Sequence, residues 1–280
     1  MPGQLLWNAA FDMDSPDDPR YRCDDPAQRR RMRILTYNIQ GGIYTQRYRE
    51  YVTNSWKQIL PHKERVQNLN RIASMLANYD LVGLQEVDAG SLRTGFIDQT
   101  EYLAHRAGFP WWYKQINRNI GPIAQHSNGV LSRHRPERVS EHRLPGLPGR
   151  GALLLEFGAE QGRLAVCIVH LALGRRSRSM QLDYIRELVA DHERLIVMGD
   201  MNSGSDSIEV RRLMKAAALR EPISGMMTFP SWRPQRKIDH ILVSENLGVR
   251  NARVLDYPLS DHLPVGLEVC WPADSEDHAA

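Results

Sequence analysis

Four apolar runs of the sequence, each with the composition of a β-strand, end on polar side chains that can bind a metal ion or move a proton. These side chains are Asn38, Glu86, His170 and the pair Asp200 and Asn202. Burying a carboxylate or an imidazole at a strand end is costly unless the group is paired or bound to an ion. Any one of them can simply have reached solvent. Because strand ends in layered folds meet at one edge, the five together predict a shared site.

The types of these side chains indicate the chemistry of the predicted site. Carboxylates and amides without cysteine suit a hard ion such as Mg²⁺ or Mn²⁺. His170 and a second histidine, His262, which follows Asp261 shortly before the last strand-like run, can donate protons or bind phosphate oxygens. The sequence has no glycine-rich phosphate loop and no activated serine or cysteine. The set therefore predicts metal-assisted hydrolysis by water.

The elements that must hold these residues alternate between strand-like and helix-like patterns. Apolar residues recur at helical spacing over 66–76 and 182–189, and a further helix is expected over about 100–107. Asp206–Glu209 resembles a capping box that opens another helix. Connections between the strand-like runs have both hairpin and helix lengths. We therefore expect an α/β fold in which two packed sheets carry helices on their outer faces.

Length and composition bound the class of protein. The chain has 280 residues, of which 42% are hydrophobic and 25% charged, and its formal net charge is +3. These values are typical of a globular protein. Residues 1–31 are expected to form an N-terminal tail or arm, 32–271 the folded domain and 272–280 a C-terminal tail. The longest apolar stretch, 164–173, is interrupted by His170 and is too short to span a bilayer.

The cysteine spacing and the N-terminal segment indicate in which cellular compartment the protein is expected. The three cysteines, Cys23, Cys167 and Cys270, lack the spacing of a disulfide framework or a zinc site. The first residues also lack the basic leader and apolar core of a signal peptide. The sequence predicts a cytoplasmic protein without stable membrane insertion, and it leaves the oligomeric state open.

The basic residues are mostly arginine, and they cluster near the strand-end motifs at 133–135, 175–178 and 233–237. Arginine suits phosphate oxygens because its planar fork makes two parallel hydrogen bonds. We therefore expect Arg118, Arg133 and Arg175 to contact an anionic substrate, although a genome rich in arginine codons would explain the same excess. Trp232, in a loop flanked by prolines, is the candidate for stacking on a base.

Seven short motifs follow one another along the chain: Thr36-Tyr37-Asn38, Leu84-Gln85-Glu86-Val87, Ser127-Asn128-Gly129, Val169-His170-Leu171, Gly199-Asp200-Met201-Asn202, Ile238-Asp239-His240-Ile241 and Ser260-Asp261-His262-Leu263-Pro264. Each motif alone is common. In this order they resemble the motif series of the endonuclease/exonuclease/phosphatase superfamily, which includes deoxyribonuclease I, over about residues 33–271.

The resemblance implies a four-layer α/β/β/α sandwich like that of deoxyribonuclease I, with two packed mixed β-sheets flanked by helices. It also implies a hydrolase that acts on phosphate esters with a divalent ion, Mg²⁺ or Mn²⁺. Glu86 matches the principal metal ligand, with Asn38 and Asp261 beside the ion. His170 matches a histidine of the deoxyribonuclease and sphingomyelinase branches, where the abasic-site enzymes have a tyrosine.

The same resemblance implies roles for five further residues. Asp200 and Asn202 match the pair that orients the attacking water and holds the phosphate. Asn128 matches an amide on the phosphate side. Asp239 and His262 match a carboxylate–histidine pair at the scissile phosphate, in which the carboxylate sets the histidine tautomer.

The substrate is less constrained than the reaction. The first hypothesis is a nuclease or nucleotide phosphodiesterase, with single- or double-stranded nucleic acid as substrate. The alternative is a phosphatase or phosphodiesterase for a small or lipid-derived phosphate ester, and the third is a binding module that has lost catalysis. A long basic groove would favour nucleic acid, whereas a closed pocket roofed by the aromatic segment 44–56 would favour a small substrate. The presence of every expected catalytic residue disfavours the inactive module.

Overall fold

The computed structural model describes residues 29–42, 63–120, 124–146, 148–158, 163–223 and 225–272. The aromatic segment 44–56 and most of the two predicted tails lie outside these residues. Within them the chain forms four α-helices, α1 (Lys63–Leu76), α2 (Gln99–Ala107), α3 (Arg175–Leu188) and α4 (Ile208–Ala216). It also forms twelve strands, β1 (Arg29–Asn38), β2 (Leu81–Asp88), β3 (Trp111–Ile120), β4 (Ala124–Ser132), β5 (Arg138–Arg143), β6 (Gly151–Phe157), β7 (Leu164–His170), β8 (Leu195–Asp200), β9 (Leu219–Arg220), β10 (Asp239–Ser244), β11 (Gly248–Val254) and β12 (Val265–Pro272).

Local signals in the sequence set the helix ends. The Asp98 carboxylate accepts hydrogen bonds from two backbone N–H groups in the first turn of α2, and Gly108 ends that helix in a left-handed conformation. α4 begins where the Asp206–Glu209 pattern predicted a helix, but its cap is Ser207, one residue later than that pattern implies, and the Ser207 hydroxyl accepts from the Val210 N–H.

The strands form two mixed six-stranded sheets. The first has the order β11-β12-β1-β2-β4-β3 and the second β5-β6-β7-β8-β10-β9. In each sheet one central pair is parallel, β1 with β2 and β7 with β8, and the other pairs are antiparallel.

Three apolar clusters lie between the layers. The largest fills the space between the two sheets, and its members include Ile34, Ile168 and Met198. A second packs α1 and α2 on the outer face of the first sheet, and a third packs α3 and α4 on the second. This arrangement confirms the predicted four-layer sandwich. Each sheet is buried on both faces, which explains the continuous apolar runs in the central strands.

The strand directions define two opposite edges of the sandwich. Asn38, His170 and Asp200 end the parallel strands β1, β7 and β8, and Asp239 begins the antiparallel strand β10, so all four lie at one edge. We call it the site edge. The opposite edge, where β2 begins at Leu81 beside the end of β4, is the far edge.

Two expectations from the sequence need correction. β1 begins at Arg29, inside the predicted tail, because Arg29–Arg31 continue the ladder with Cys270–Pro272. Cys270 is disulfide-bonded, whereas Cys167 is a free, buried thiol. The spacing argument against a disulfide framework therefore does not hold for Cys270.

No helix in the described ranges is long and apolar enough to cross a membrane.

Candidate active site

Three of the predicted residues are neighbours across the strands of the second sheet. His170 is paired in register with Asp200, and Asp200 is paired with Asp239. Residues in register on neighbouring strands point to the same face, so the three side chains converge. Nε2 of His170 lies 3.5 Å from Oδ2 of Asp200, and all three side chains are buried.

His262, in the loop before β12, forms a close pair with Asp239. Its Nδ1 donates to the two carboxylate oxygens at 3.0 and 2.9 Å, and its Nε2 lies 4.0 Å from Oδ2 of Asp200. Burial disfavours the charged ring, but the charge and hydrogen bond of Asp239 outweigh this effect and raise the pKa of His262 to about 10. His262 is therefore protonated at neutral pH, with Nε2–H directed toward the site.

Asp200 lies at the centre of the group. Its Oδ2 accepts a hydrogen bond from Asn38 Nδ2 at 3.1 Å, which joins the two sheets, and its Oδ1 accepts from the Asn202 N–H at 2.9 Å. Burial raises the pKa of Asp200 to about 7, with the charge of His262 opposing the rise and that of Asp239 adding to it. A carboxyl group with a pKa near neutrality is suited to accept a proton from water.

The backbone around Asp200 needs two uncommon conformations. Gly199 has a φ of +141°, and a Cβ there would lie 1.9 Å from the Val169 carbonyl oxygen. Only glycine permits this close approach of β8 to β7. Asn202 has a φ of +51°, a left-handed conformation that asparagine tolerates, and its Nδ2 donates to the Leu171 carbonyl at 2.9 Å. The strain therefore falls on the residues that orient Asp200.

Glu86 comes from the first sheet and reaches the same space through a bulge in β2. The register between β2 and β4 shifts between Leu84 and Val87, and Glu86 has a φ of +56°. Bulges commonly redirect a side chain beside an active site. The Glu86 side chain stays 35% exposed, and its Oε1 lies 3.8 Å from Nε2 of His170. This partial exposure leaves the carboxylate open to an ion or a substrate.

Gln99 ties together the segments that follow Asn38 and Glu86. This buried side chain accepts from the Asp88 N–H at 2.8 Å and donates to the Gly41 carbonyl at 2.7 Å. The sequence analysis did not identify Gln99, because its contacts lie far from it along the chain.

Asp261 approaches the group from the loop that also carries His262. The Ser260 hydroxyl lies 2.8 Å from the Asn38 carbonyl oxygen and 3.1 Å from Asp261 Oδ1. Burial raises the pKa of Asp261 to about 6, against the charge of His262, and the charge of Glu86 contributes to the rise. Asp261 and Glu86 therefore repel each other across the site.

The donor set fits a divalent cation. One group of three potential ligands in the described ranges has atoms within 4.8 Å of one another, namely Asp200, Asp239 and His262. It differs from the predicted set of Glu86, Asn38 and Asp261, which stays a prediction. His262 and Asp239 already pair with each other, whereas the charge of Glu86 helps to raise the pKa of Asp261. A cation beside Glu86 and Asp261 would offset that repulsion.

Arg150 is a site residue that the sequence analysis missed. Its Nη1 lies 2.9 and 2.7 Å from the two ring nitrogens of His170. Burial lowers the pKa of Arg150, while the charges of Glu86 and Asp200 oppose that change. Burial and the charge of Arg150 hold the pKa of His170 well below its usual value, so His170 is neutral at pH 7. The only signal was a basic residue before an apolar run, whose importance depends on Gly151 pairing with His170.

Three predicted substrate-binding residues lie beside this group. Arg118 is exposed and packs beside Gly149, one residue before Arg150. Trp232 is half-buried and follows Ser231, whose N–H donates to the Asp261 carbonyl at 2.7 Å. Asn128 is buried and uses its Nδ2 to bond the Gly151 carbonyl at 3.0 Å, which joins the sheets. Its predicted contact with phosphate remains a prediction.

Arg133 requires a correction. It follows β4 at the far edge, where it donates to the carbonyl oxygens of Tyr79, Ala77, Gly108 and Ala107 at 3.0, 2.8, 3.2 and 3.5 Å. It therefore closes the C-terminal ends of α1 and α2, and the expected substrate contact is wrong. The sequence pattern did not reveal that β4 runs away from the site.

Arg175 lies at the start of α3, after the loop that follows His170. Its side chain is 71% exposed, and its Nε lies 3.9 Å from the buried carboxylate of Glu209. The predicted contact with substrate stays a prediction.

The model of the endonuclease/exonuclease/phosphatase family matches residues 35–262. The chain therefore belongs to this family of phosphoesterases, and it carries a buried Asp/Asp/His cluster at its site edge. No curated protein matches the sequence.

Several solved structures share the fold. An endonuclease/exonuclease/phosphatase from Beutenbergia cavernae has a TM-score of 0.66 and 20% identity, over 86% of this chain and 71% of that one. The mannosyl-6-phosphatase of Bacteroides thetaiotaomicron has a TM-score of 0.63 and 16% identity, over 85% and 99%. The catalytic domain of human nocturnin with bound sulfate has a TM-score of 0.62 and 17% identity, over 85% and 94%. At these identities the likeness establishes the fold and leaves the substrate open.

Proposed function

We propose that the protein hydrolyses phosphodiester bonds by attack of water, with Mg²⁺ or Mn²⁺ held by Glu86, Asn38 and Asp261. The observation that carries the proposal is the convergence of the His262–Asp239 pair and Glu86 on Asp200 from two different sheets. When bound, the ion would offset the charge of the phosphate and of the transition state.

Two side chains carry out the proton transfers of the proposed reaction. Asp200, held by Asn38 and Asn202, orients the water and accepts its proton. His262 donates a proton to the leaving oxygen, because Asp239 holds the ring charged and aims Nε2 inward.

His170 and Arg150 form the phosphate-binding side of the site. Their contact at 2.7 Å places an imidazole and a guanidinium together. Arginine binds phosphate oxygens through strong, charge-assisted hydrogen bonds. The pair therefore supplies donors for the non-bridging oxygens.

Nucleic acid or a nucleotide is the first substrate class that we propose. Arg118 in β3 is exposed, and half-buried Trp232 follows Ser231, whose N–H bonds to the Asp261 carbonyl. A guanidinium beside a phosphate and an indole against a base are the contacts that such substrates use.

A small or lipid-derived phosphate ester is the second candidate, and one observation favours it. The most exposed large apolar side chains in the described ranges are Leu173 and Phe96, exposed to 73% and 67%, and they follow β7 and β2 at the site edge. Such side chains suit an apolar part of a substrate, and Arg133 does not extend the basic surface there.

A substrate panel tests the proposal. Purified protein with Mg²⁺, Mn²⁺ or EDTA is assayed on single- and double-stranded DNA, RNA, bis-p-nitrophenyl phosphate, p-nitrophenyl phosphate and dispersed phospholipid. We expect diester hydrolysis that EDTA abolishes. Turnover of p-nitrophenyl phosphate alone would overturn the diesterase proposal.

A salt series separates the two substrate classes. Binding of an oligonucleotide to a His262→Gln variant should weaken with salt, with a log–log slope of roughly −0.7 to −0.9 per phosphate contacted. A flat dependence, or no binding at low salt, would remove the nucleic-acid proposal and leave the second candidate.

A further inference from the structure

A second polar cluster lies behind the catalytic group, on the side of the second sheet that the proposed reaction does not use. His240 follows Asp239 in β10 and is fully buried. Its Nδ1 lies 2.6 Å from Oε1 of Glu221, and Lys237 Nζ lies 2.7 Å from the same oxygen. Burial opposes the charge of Glu221, but the bonds from His240 and Lys237 outweigh it and lower the pKa of the carboxyl group to about 2.

The cluster holds the loop that carries Asn202. Nε2 of His240 lies 2.8 Å from the Ser203 carbonyl oxygen, and Ser205 contributes to the lowered pKa of Glu221. The loop 201–207 is therefore held at Ser203, directly after Asn202.

The chemistry of these contacts makes them directional. One ring nitrogen of His240 faces a carboxylate oxygen and the other a carbonyl oxygen, so the orientation of the ring is determined. A buried ionic group of this kind is weak evidence for stability, because desolvation offsets much of the attraction. The cluster instead fixes the positions of two segments. It links β10, which carries Asp239, to the strained turn that orients Asp200.

We propose that the Glu221–His240 pair positions Asp200, Asn202 and Asp239 for the reaction, without touching the substrate. This inference rests on the proposed function. Outer-shell partners of this kind typically contribute about 10- to 100-fold to activity. The loss should appear mainly in kcat rather than KM, because His170 and Arg150, the phosphate-binding side of the proposed site, lie outside β10 and the loop 201–207.

The test compares Glu221→Gln with a matched control. Glu156→Gln also removes a buried carboxylate, one that lies 3.0 Å from Arg163 near the far edge. We expect Glu221→Gln to lower kcat on bis-p-nitrophenyl phosphate by about 10- to 100-fold with KM within about 3-fold of wild type. Glu156→Gln should leave both unchanged. If Glu221→Gln does not fold, Ser205→Ala, which removes a hydroxyl that contributes to the lowered pKa of Glu221, should give a smaller loss in kcat.

Hydrogen exchange provides a readout that does not depend on turnover. The amides of 201–207 should exchange faster in Glu221→Gln than in wild type, and they should be unaffected in Glu156→Gln. The positioning role of the Glu221–His240 pair would be overturned if the loop amides of Glu221→Gln exchanged at the wild-type rate. Equal losses of kcat in Glu221→Gln and Glu156→Gln would also overturn it. If the wild-type protein is inactive but the exchange pattern is as expected, the proposed function is contradicted, whereas the Glu221–His240 pair still holds the loop 201–207.

Discussion

The site edge and the far edge of the sandwich both carry arginines at strand ends, in very different surroundings. At the far edge, Arg133 donates to four backbone carbonyl oxygens, and its guanidinium lies 4.9 Å from the centre of the Phe109 ring. At the site edge, Arg150 lies against His170 and within the field of Glu86.

The difference shows how neighbours decide between structure and chemistry. Carbonyl oxygens at helix ends need donors, and Arg133 satisfies them. At the site edge ionisable side chains face one another, so the pKa values of His170, Asp200 and His262 move away from their usual values. Displaced pKa values of this kind cluster where a protein carries out chemistry.

The largest effect should follow from removing the charged histidine of the site edge. His262→Gln keeps a polar side chain but removes the proton donor, so kcat should fall by about 10² to 10⁴. Steady-state kinetics with Mg²⁺, beside thermal unfolding, measure the change. A preserved kcat in folded protein would show that His262 is structural.

Arg150→Ala should have an intermediate effect. It removes charge-assisted hydrogen bonds worth about 1.5–3 kcal/mol, so kcat/KM should fall by roughly 10- to 150-fold. The measurement is kcat/KM on bis-p-nitrophenyl phosphate. Arg118→Ala is the control at the same edge, and we expect a smaller loss there. An unchanged kcat/KM for Arg150→Ala would contradict phosphate binding by this residue.

Arg133→Ala should affect stability without affecting catalysis. Leaving helix-end carbonyl groups unbonded should lower the free energy of unfolding by about 1–3 kcal/mol, while kcat and KM stay at wild-type values. Urea unfolding and kinetics on the same samples check both. A fall in kcat/KM at full stability would restore this arginine to the substrate surface.

The metal-free protein should become less stable as pH rises. The pKa of His262 is about 10 in the folded protein against a usual 6.5, so its stabilising contribution is complete below 6.5 and is lost as pH rises through 10. Asp200 and Asp261, with pKa values of about 7 and about 6 against 3.8, act in the same direction at lower pH.

Urea midpoints in EDTA at several pH values measure this slope, which we expect to be on the order of 1 kcal/mol per pH unit between pH 7 and 9. His262→Gln should flatten the slope above pH 6.5, and Mg²⁺ should raise stability most at high pH. A slope that the variant leaves unchanged would show that another group titrates.

The amino-acid sequence by itself determined the class of fold, the order of the motifs and most residues of the site. Periodicity and strand-end chemistry are local properties of the chain, so the helices, the central strands and residues such as Glu86, Asp200 and His262 could be predicted without coordinates. The resemblance of the ordered motifs supplied their roles.

Only the tertiary structure decided which polar residues meet. Asn38 bonds to Asp200 across 162 positions of sequence, Arg150 meets His170 through the pairing of β6 with β7, and His240 reaches Glu221 behind the catalytic group. Arg133 shows the reverse case, since its cluster resembles a binding motif yet β4 carries it to the far edge. Strand direction and register set these contacts. Both depend on how the strands of a whole sheet pair, and the residue types near one position do not encode that pairing.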